Sequence, residues 1–307
     1  MERTRRVTAG TAALLTLPPL LWAGNAIVGS LVVGRIPPLT LNALRWILAL
    51  ILLLPLGWRV IAHPRALLAR WRYFASVGFF GIGCYNAFQY MALATSSPIN
   101  VTLIAASASV FMLLIGWIGY RVRPRAAQVL GAALSLAGVA FVLARGTLSA
   151  LLALRFVPGD LFMLLASLAW SLYSWQLARP PASMAGTQRP AWNWAELLTA
   201  QLVFGATWGA IASAVELAIL RPVIPWSPGI AGALAYVAIG PAVAAYWAWG
   251  RGVSLVGPTL AALFSNFTPL FAAVLSLALL GEAPRWYHGV AFVLIATGVA
   301  IPALRAR

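Results

Sequence analysis

The chain contains no lysine, one cysteine, two histidines and five carboxylate side chains in 307 residues. Each shortage excludes something. A lone cysteine closes no intramolecular disulfide, and Cys84, inside an apolar run, reads as a small core residue. One cysteine with His63 and His288, both near loops, cannot close a metal site, so no metal is expected. So few reactive groups do not assemble a nucleophile, acid and base on one face, so no catalytic residue is assigned and no enzyme is expected. No G-x-x-x-x-G-K-[ST] phosphate loop is present, which argues against an ATP-driven pump, and no cofactor is expected. The acids Glu2, Asp160, Glu196, Glu216 and Glu282 fall at tails or span ends. No carboxylate therefore stands deep in an apolar run, where it could serve as a buried proton relay.

What the chain does have is apolar length. Hydrophobic residues make up 62% and charged residues 8%, against roughly 25% charge in a soluble domain. A bilayer crossing takes about 20 mostly apolar residues, because the hydrocarbon core is ~30 Å thick and a helix rises ~1.5 Å per residue. Ten such stretches are expected, near 8–33, 38–58, 73–94, 98–120, 126–144, 159–179, 194–219, 229–250, 257–280 and 286–304. The fold expected is all-α and integral to the membrane. Proline and glycine punctuate the gaps: Pro37-Pro38, His63-Pro64, Ser97-Pro98, Pro158-Gly159, Pro180-Pro181 and Gly257-Pro258. The first stretch follows Arg3, Arg5 and Arg6 and runs past Val32, too long for a signal h-region, so it reads as a retained helix. The longest polar gap, Arg179 to Asn193, is the expected central linker.

The net charge of +16 does not indicate nucleic acid. The arginines sit in short gaps between apolar runs rather than on a polar surface, so the partners expected are lipid and a small-molecule substrate. With both termini placed in the cytoplasm, 15 of the 21 arginines fall on the cytoplasmic side and 5 outside, with Arg45 inside a span. That bias predicts an inner-membrane protein with both termini cytoplasmic. A single GxxxG at Gly205 and Gly209 does not specify an oligomer.

An internal repeat appears at an offset of 160. Pro98, Leu103, Phe111, Pro124 and Arg125 map to Pro258, Leu263, Phe271, Pro284 and Arg285. Leu134, Gly138, Val139 and Ala140 map to Leu294, Gly298, Val299 and Ala300. Five crossings per half is an odd number, so the second half would enter from the opposite side. Two inverted five-helix repeats, 1–148 and 149–307, are expected, with substrate held between them near the midplane.

Polar and aromatic groups deep in the spans are the candidate binding residues, because polar groups in hydrocarbon are costly unless they face protein or water. Asn86, Gln89 and Tyr90 share a face of the third span. Asn86 and Gln89 map by the offset to Tyr246 and Trp249, and these faces are expected to meet across a cavity. Trp22 with Asn25, and Trp170 with Tyr173, occupy the first helix of each half at the same spacing. Asn266 lies deep in the ninth span. Stacked rings with a few amides suit a flat, partly apolar solute. Arg45, within a span, could attract a substrate carboxylate; the structural expectation is that it snorkels or bonds a carbonyl at a helix end.

Several motifs resemble a known family. Trp22-Ala23-Gly24-Asn25 resembles the opening motif of the EamA-type drug/metabolite transporters, as do Pro37 with Arg45, and Pro98. The stretch from Phe267-Thr268-Pro269 to Leu280-Gly281-Glu282 is similar to that family's second-repeat signature. Length and aromatic content look most like its aromatic amino acid exporter branch. The resemblance implies ten helices in inverted five-helix repeats, efflux of metabolites across the bacterial inner membrane, and helices one to four of each half around a cavity. The first half departs from the pattern: Ser109 stands where the repeat has Pro269, and Arg121-Val122 where it has Gly281-Glu282. The expected function is export of amino acids, aromatic or other neutral ones, by alternating access. The alternatives are export of other metabolites or drugs, or a membrane enzyme acting on a lipid or metabolite.

Overall fold

Proline at the first helical position, where its missing N–H loses nothing, sets the start of most long rods. The computed structural model describes residues 7–32, 34–96, 101, 104–144, 146, 147, 149, 157–280 and 285–304, with helices and no strand among them. In chain order these are α1 Ala9–Val32, α2 Pro38–Ala62, α3 Pro64–Leu68 and α4 Trp71–Gly78. A π-helical turn, Phe79–Cys84, carries α4 straight into α5 Tyr85–Leu93. Then follow α6 Ala108–Ile118, α7 Ala126–Leu143, α8 Pro158–Ala178 and α9 Trp194–Leu220. In the same way α10 Pro228–Val237 passes through a π turn, Ala238–Ala244, into α11 Ala245–Val256. The chain closes with α12 Pro258–Ser265, α13 Thr268–Leu280 and α14 Trp286–Leu304.

Among the described residues, six helical stretches are long and apolar enough to cross a membrane: Ala9–Val32, Pro38–Ala62, Pro158–Ala178, Trp194–Leu220, Pro228–Val256 and Pro258–Leu275. The segments Ala108–Ile118, Ala126–Gly138 and Gly289–Pro302 are apolar but shorter. Large apolar side chains are exposed along the outside, among them Ile51, Leu56, Ile118, Ile211, Ile219 and Phe292. An exterior of that kind suits lipid rather than water.

Two interruptions recur. Pro241 has no N–H to give, so the helix widens around it. The turn Phe79–Cys84, with Gly81 and Gly83, lies 160 residues earlier. The fourth span is expected as one rod over 98–120, and the ninth over 257–280. Instead a turn at Ala106–Ser107 precedes α6, and a turn at Asn266–Phe267 separates α12 from α13, again 160 residues apart.

Contacts between rods come in matched pairs. α1 packs on α11 and α13, while α8 packs on α5 and α6. α2 lies along α9, and α7 along α14. Between α8 and α6 a ladder of side chains bonds main-chain carbonyls: Ser167 Oγ to Ile104 O (3.3 Å), Ser171 Oγ to Ala108 O (3.2 Å) and Trp175 Nε1 to Met112 O (2.8 Å). The constant spacing shows that the two run parallel. Gly205 and Gly209 are used within the chain, Gly205 against Gly78 and Ile82 and Gly209 against Ala43. The 179–193 segment folds into two 3₁₀ turns. Arg70 clasps it, donating to Ser183 O (2.8 Å) and Gln188 O (2.6 Å).

The buried acids all serve helix starts, where the dipole and unpaired N–H groups favour negative charge. Asp160 accepts from Val157 N (2.9 Å) and from Ser96 Oγ (2.6 Å). Glu196 closes a capping box with Asn193, accepting from Asn193 N (2.7 Å), and lies 3.6 Å from the largely exposed Arg59. Glu216 reaches across from α9 to cap α2, accepting from Leu39 N (3.1 Å), Thr40 N (2.7 Å) and Thr40 Oγ1 (2.8 Å). Glu2 and Glu282 lie outside the described residues. Charge-assisted bonds contribute about 1.5–3 kcal/mol, and orphaning two buried donors adds to the loss. Glu216→Ala is therefore expected to lower unfolding stability by about 3 kcal/mol, and Glu216→Gln, which keeps an acceptor, by about half that. Denaturant midpoints of the two variants check this; equal midpoints for wild type and Glu216→Ala would refute the cap.

Candidate functional site

The two π turns create the first feature of the site. Widening a helix to i→i+5 bonding leaves main-chain carbonyls poorly matched to donors above them. Aromatic donors from other rods take these up. Trp22 Nε1 on α1 bonds Pro241 O (3.3 Å), and the Tyr246 hydroxyl on α11 donates to Gly81 O. Each bond ties a rod from one end of the sequence to a turn in the other half.

Around these bonds the rings close into a buried cluster with Trp170 of α8 at its hub. The Trp170 ring centroid lies 4.8 Å from Tyr85, 5.0 Å from Trp22, and 5.1 Å from both Tyr173 and Trp249. Tyr246 follows at 5.2 Å. These separations and tilts suit quadrupole-favoured pairs. The polar ends are held. Trp249 Nε1 donates to Ser174 Oγ (3.1 Å), and Tyr173 OH to Gln201 Oε1 (3.0 Å).

Beside the rings lies a polar network on α1, α2 and α5. Asn25 Nδ2 and Asn86 Nδ2 both donate to Gln89 Oε1, each at 3.0 Å. Asn25 Oδ1 accepts from Tyr90 OH (2.9 Å) and from Arg45 Nη1 (3.2 Å), and Arg45 Nη1 also reaches Tyr90 OH (3.2 Å). The guanidinium lies over Trp46, 4.8 Å from its ring centroid, and Trp46 meets Tyr246 at 4.8 Å. Ring cluster and polar network therefore adjoin.

A cavity of about 330 Å³ opens on one side of the cluster. Tyr173, Tyr246 and Gln201 line it deep within the rods; Trp192, Trp194, Arg189 and Arg251 line it toward the clasped 179–193 segment. The volume is at the lower end of that typical for small-ligand pockets, and the lining is mostly apolar with a few polar groups.

Of the residues singled out from sequence, Trp22, Trp170, Tyr173, Tyr246 and Trp249 come together in the ring cluster. Asn25, Asn86, Gln89 and Tyr90 come together in the polar network. Asn266 lies apart, accepting from Ser109 Oγ (3.1 Å), so the helix break of α12–α13 meets the start of α6. A proline at position 109 could not make that bond. Tyr173 and Tyr246 line the cavity, while the others are buried in this state. Gln89 accepts from Asn25 and from Asn86, so the hydrogen bonds of this face run to α1 and within α5.

Arg45 differs from its expectation. It neither snorkels nor bonds a carbonyl; it is fully buried and holds Asn25 and Tyr90. Sequence reading also passed over Gln201, Ser174 and Trp46, and the rim residues Trp192, Trp194, Arg189 and Arg251. Gln201 had a signal, an amide within an apolar run. The rim had none, because it lies in or beside the polar linker and reads as loop.

The EamA-like transporter family model matches residues 10–144 and again 157–303. The chain is 27% identical over 291 residues to an uncharacterized transporter of Archaeoglobus fulgidus, covering 94% of this chain and 96% of that one. It is 26% identical over 316 residues to the aromatic amino acid exporter YddG of Ancylobacter novellus, covering 100% of both. A solved chain that is 24% identical shares the fold with a TM-score of 0.72, covering 97% of this chain and 98% of that one. The chain thus belongs to the EamA-like transporter family, membrane proteins that carry small metabolites.

Proposed function

We propose that this transporter exports amino acids, aromatic or other neutral ones, from the cytoplasm across the inner membrane by alternating access. Residues 1–148 and 149–307 form inverted five-helix repeats in a ten-helix bundle with both termini inside. Supporting the repeat are the π turns and helix breaks recurring at the 160 offset, the matched contacts of α1 and α8, and the family model falling once on each half. Supporting the substrate class is the name of the full-length relative from Ancylobacter novellus.

The observation that carries this reading is the ring cluster at the deep end of the cavity. It is built from α1, α5, α8 and α11, so it draws on both halves and would separate if they rock apart. In this state the cavity opens toward the arginine-rich end, the side read as cytoplasmic. The rings and amides of Trp22, Asn25, Asn86, Gln89, Tyr90, Trp170, Tyr173, Tyr246 and Trp249, with Asn266, then form the surface offered to solute in other states.

Counterflow in proteoliposomes tests this. Labelled tryptophan, phenylalanine, leucine and alanine should show saturable exchange, with the aromatic solutes fastest. Trp249→Ala and Gln89→Ala should each cut exchange about tenfold while the protein stays monodisperse, since one lost stacking or hydrogen-bonding contact amounts to roughly 1–2 kcal/mol. Full-rate exchange by both variants would refute the site. Turnover of a lipid or metabolite without saturable flux would favour the enzyme alternative.

A further inference from the structure

Arg45 lies on α2 seven residues past Pro38, about two turns into the rod. Its side chain has no exposed surface. Only Nη1 is engaged, by Asn25 and Tyr90. Nε and Nη2 are buried with no hydrogen-bond partner. Those two nitrogens share one edge of the planar guanidinium, the edge with which arginine grips a carboxylate through two parallel bonds.

No carboxylate of the chain fills that edge among the described residues. Asp160, Glu196 and Glu216 are all committed to helix starts. A buried guanidinium with most of its N–H donors unmatched is strongly unfavourable in a low-dielectric interior, so its retention calls for an anion that arrives from elsewhere. The polar network is shaped to hold the fork rather than to neutralise it. Gln89 bridges Asn25 and Asn86, and Asn25 and Tyr90 pin the Nη1 side. Asn86 Oδ1 is a second buried group without a partner, an acceptor in the same network. The Trp46 ring under the guanidinium leads directly to Tyr246 and the aromatic cluster.

We propose that the Nε–Nη2 edge of Arg45 is a carboxylate-binding site for the transported solute, with the solute's apolar body directed toward the adjoining rings. The matching ligand class is an organic carboxylate with a flat or aromatic body, and Asn86 Oδ1 suits one that also carries an N–H donor. Arg45 thereby sets specificity for acids over their neutral amides. The proposal rests on the transport reading above only in taking this ligand to be cargo; the anion site itself rests on the unmatched donors.

The test uses the full-length protein in detergent, with its thermal unfolding midpoint read against 3-phenylpropanoate, L-phenylalanine, L-phenylalaninamide and sodium chloride at matched ionic strength. The two carboxylates should raise the midpoint saturably, whereas the amide and chloride should not. Arg45→Gln should raise the apparent Kd for 3-phenylpropanoate at least tenfold, and Arg45→Lys, which keeps charge but not the fork, should fall between. An equal shift from the amide, a shift from chloride alone, or no shift from either carboxylate would overturn the site. The wild-type comparison of acid with amide needs no variant, so a misfolded Arg45→Gln leaves the result decisive. Binding of 3-phenylpropanoate through Arg45 without counterflow of any amino acid would keep the anion site and defeat the amino-acid reading.

Discussion

Replacing Gly78 with valine is expected to leave no folded protein. A Cβ built on Gly78 falls 2.7 Å from Gly205 N and 2.9 Å from Gln201 O. Both are main-chain atoms of α9, so the usual escape, a side chain swinging away, is closed. Overpacking in ordinary cores costs typically 1–3 kcal/mol because neighbours shift; here whole rods must part. Helix association in lipid relies on close packing rather than on expulsion of water, which leaves little to offset that separation. The displaced rod also carries Glu216, the cap of α2, and Gln201, the partner of Tyr173. Expression with size-exclusion profiles is the measurement. Gly232→Val is the control, since nothing lies within 4 Å of a Cβ there. A monodisperse Gly78→Val protein with wild-type melting would show that α4 and α9 do not approach as described.

The second large effect is expected at Trp170. Its ring meets five others, from α1, α5, α8 and α11. Removing a buried tryptophan side chain costs about 3–5 kcal/mol, as transfer and cavity contributions together. Trp170→Ala should thus both lower the melting temperature and abolish counterflow, by at least a hundredfold. Trp170→Phe should recover most of the stability and part of the flux, since it restores a ring but less area. The pairing of these two variants separates roles. If Trp170→Phe restores stability and full flux, the indole matters only as filler; if it restores stability without flux, the indole itself meets the solute. Wild-type transport by Trp170→Ala would remove the ring cluster from the pathway.

Much of the rod layout was legible because hydropathy and proline report on backbone and solvent, which a sequence carries locally. The expected 8–33, 126–144, 159–179 and 194–219 fall within a residue or so of Ala9–Val32, Ala126–Leu143, Pro158–Ala178 and Trp194–Leu220. The eighth span runs six residues past its expected end, to Val256, because Arg251 and Ser254 lower hydropathy without ending a helix; Gly257 ends it. The helix breaks at 106–107 and 266–267 and the turn at 79–84 were invisible, since an apolar run reads the same whether its bonding is i→i+4 or i→i+5. Their stability comes from partners far away in sequence, such as the Tyr246 hydroxyl on Gly81 O.

The site was half legible for a related reason. Depth in a span picks out rings and amides that lie buried together here, but depth carries no direction, so the bonds that Gln89 accepts from Asn25 and Asn86 are not readable from it. For Arg45, a lone cation in an apolar run has two physical fates, escape to the interface or capture by buried dipoles, and the side chain takes the second. Only the placement of Asn25 and Tyr90 decides between them.

The widened turns also set angular phase. Successive residues of an ordinary helix advance by about 100°, so one residue gained or lost in such a turn swings everything beyond it through more than a quarter circle. Tyr246 and Trp249 lie just beyond the loosened segment 238–244, within the first turn and a half of the rod that follows. Their inward bearing is therefore fixed by how that short stretch is wound, not by the long rod that follows. A local rewinding there would turn both rings together, like a key whose blade is set by a twist near the bow.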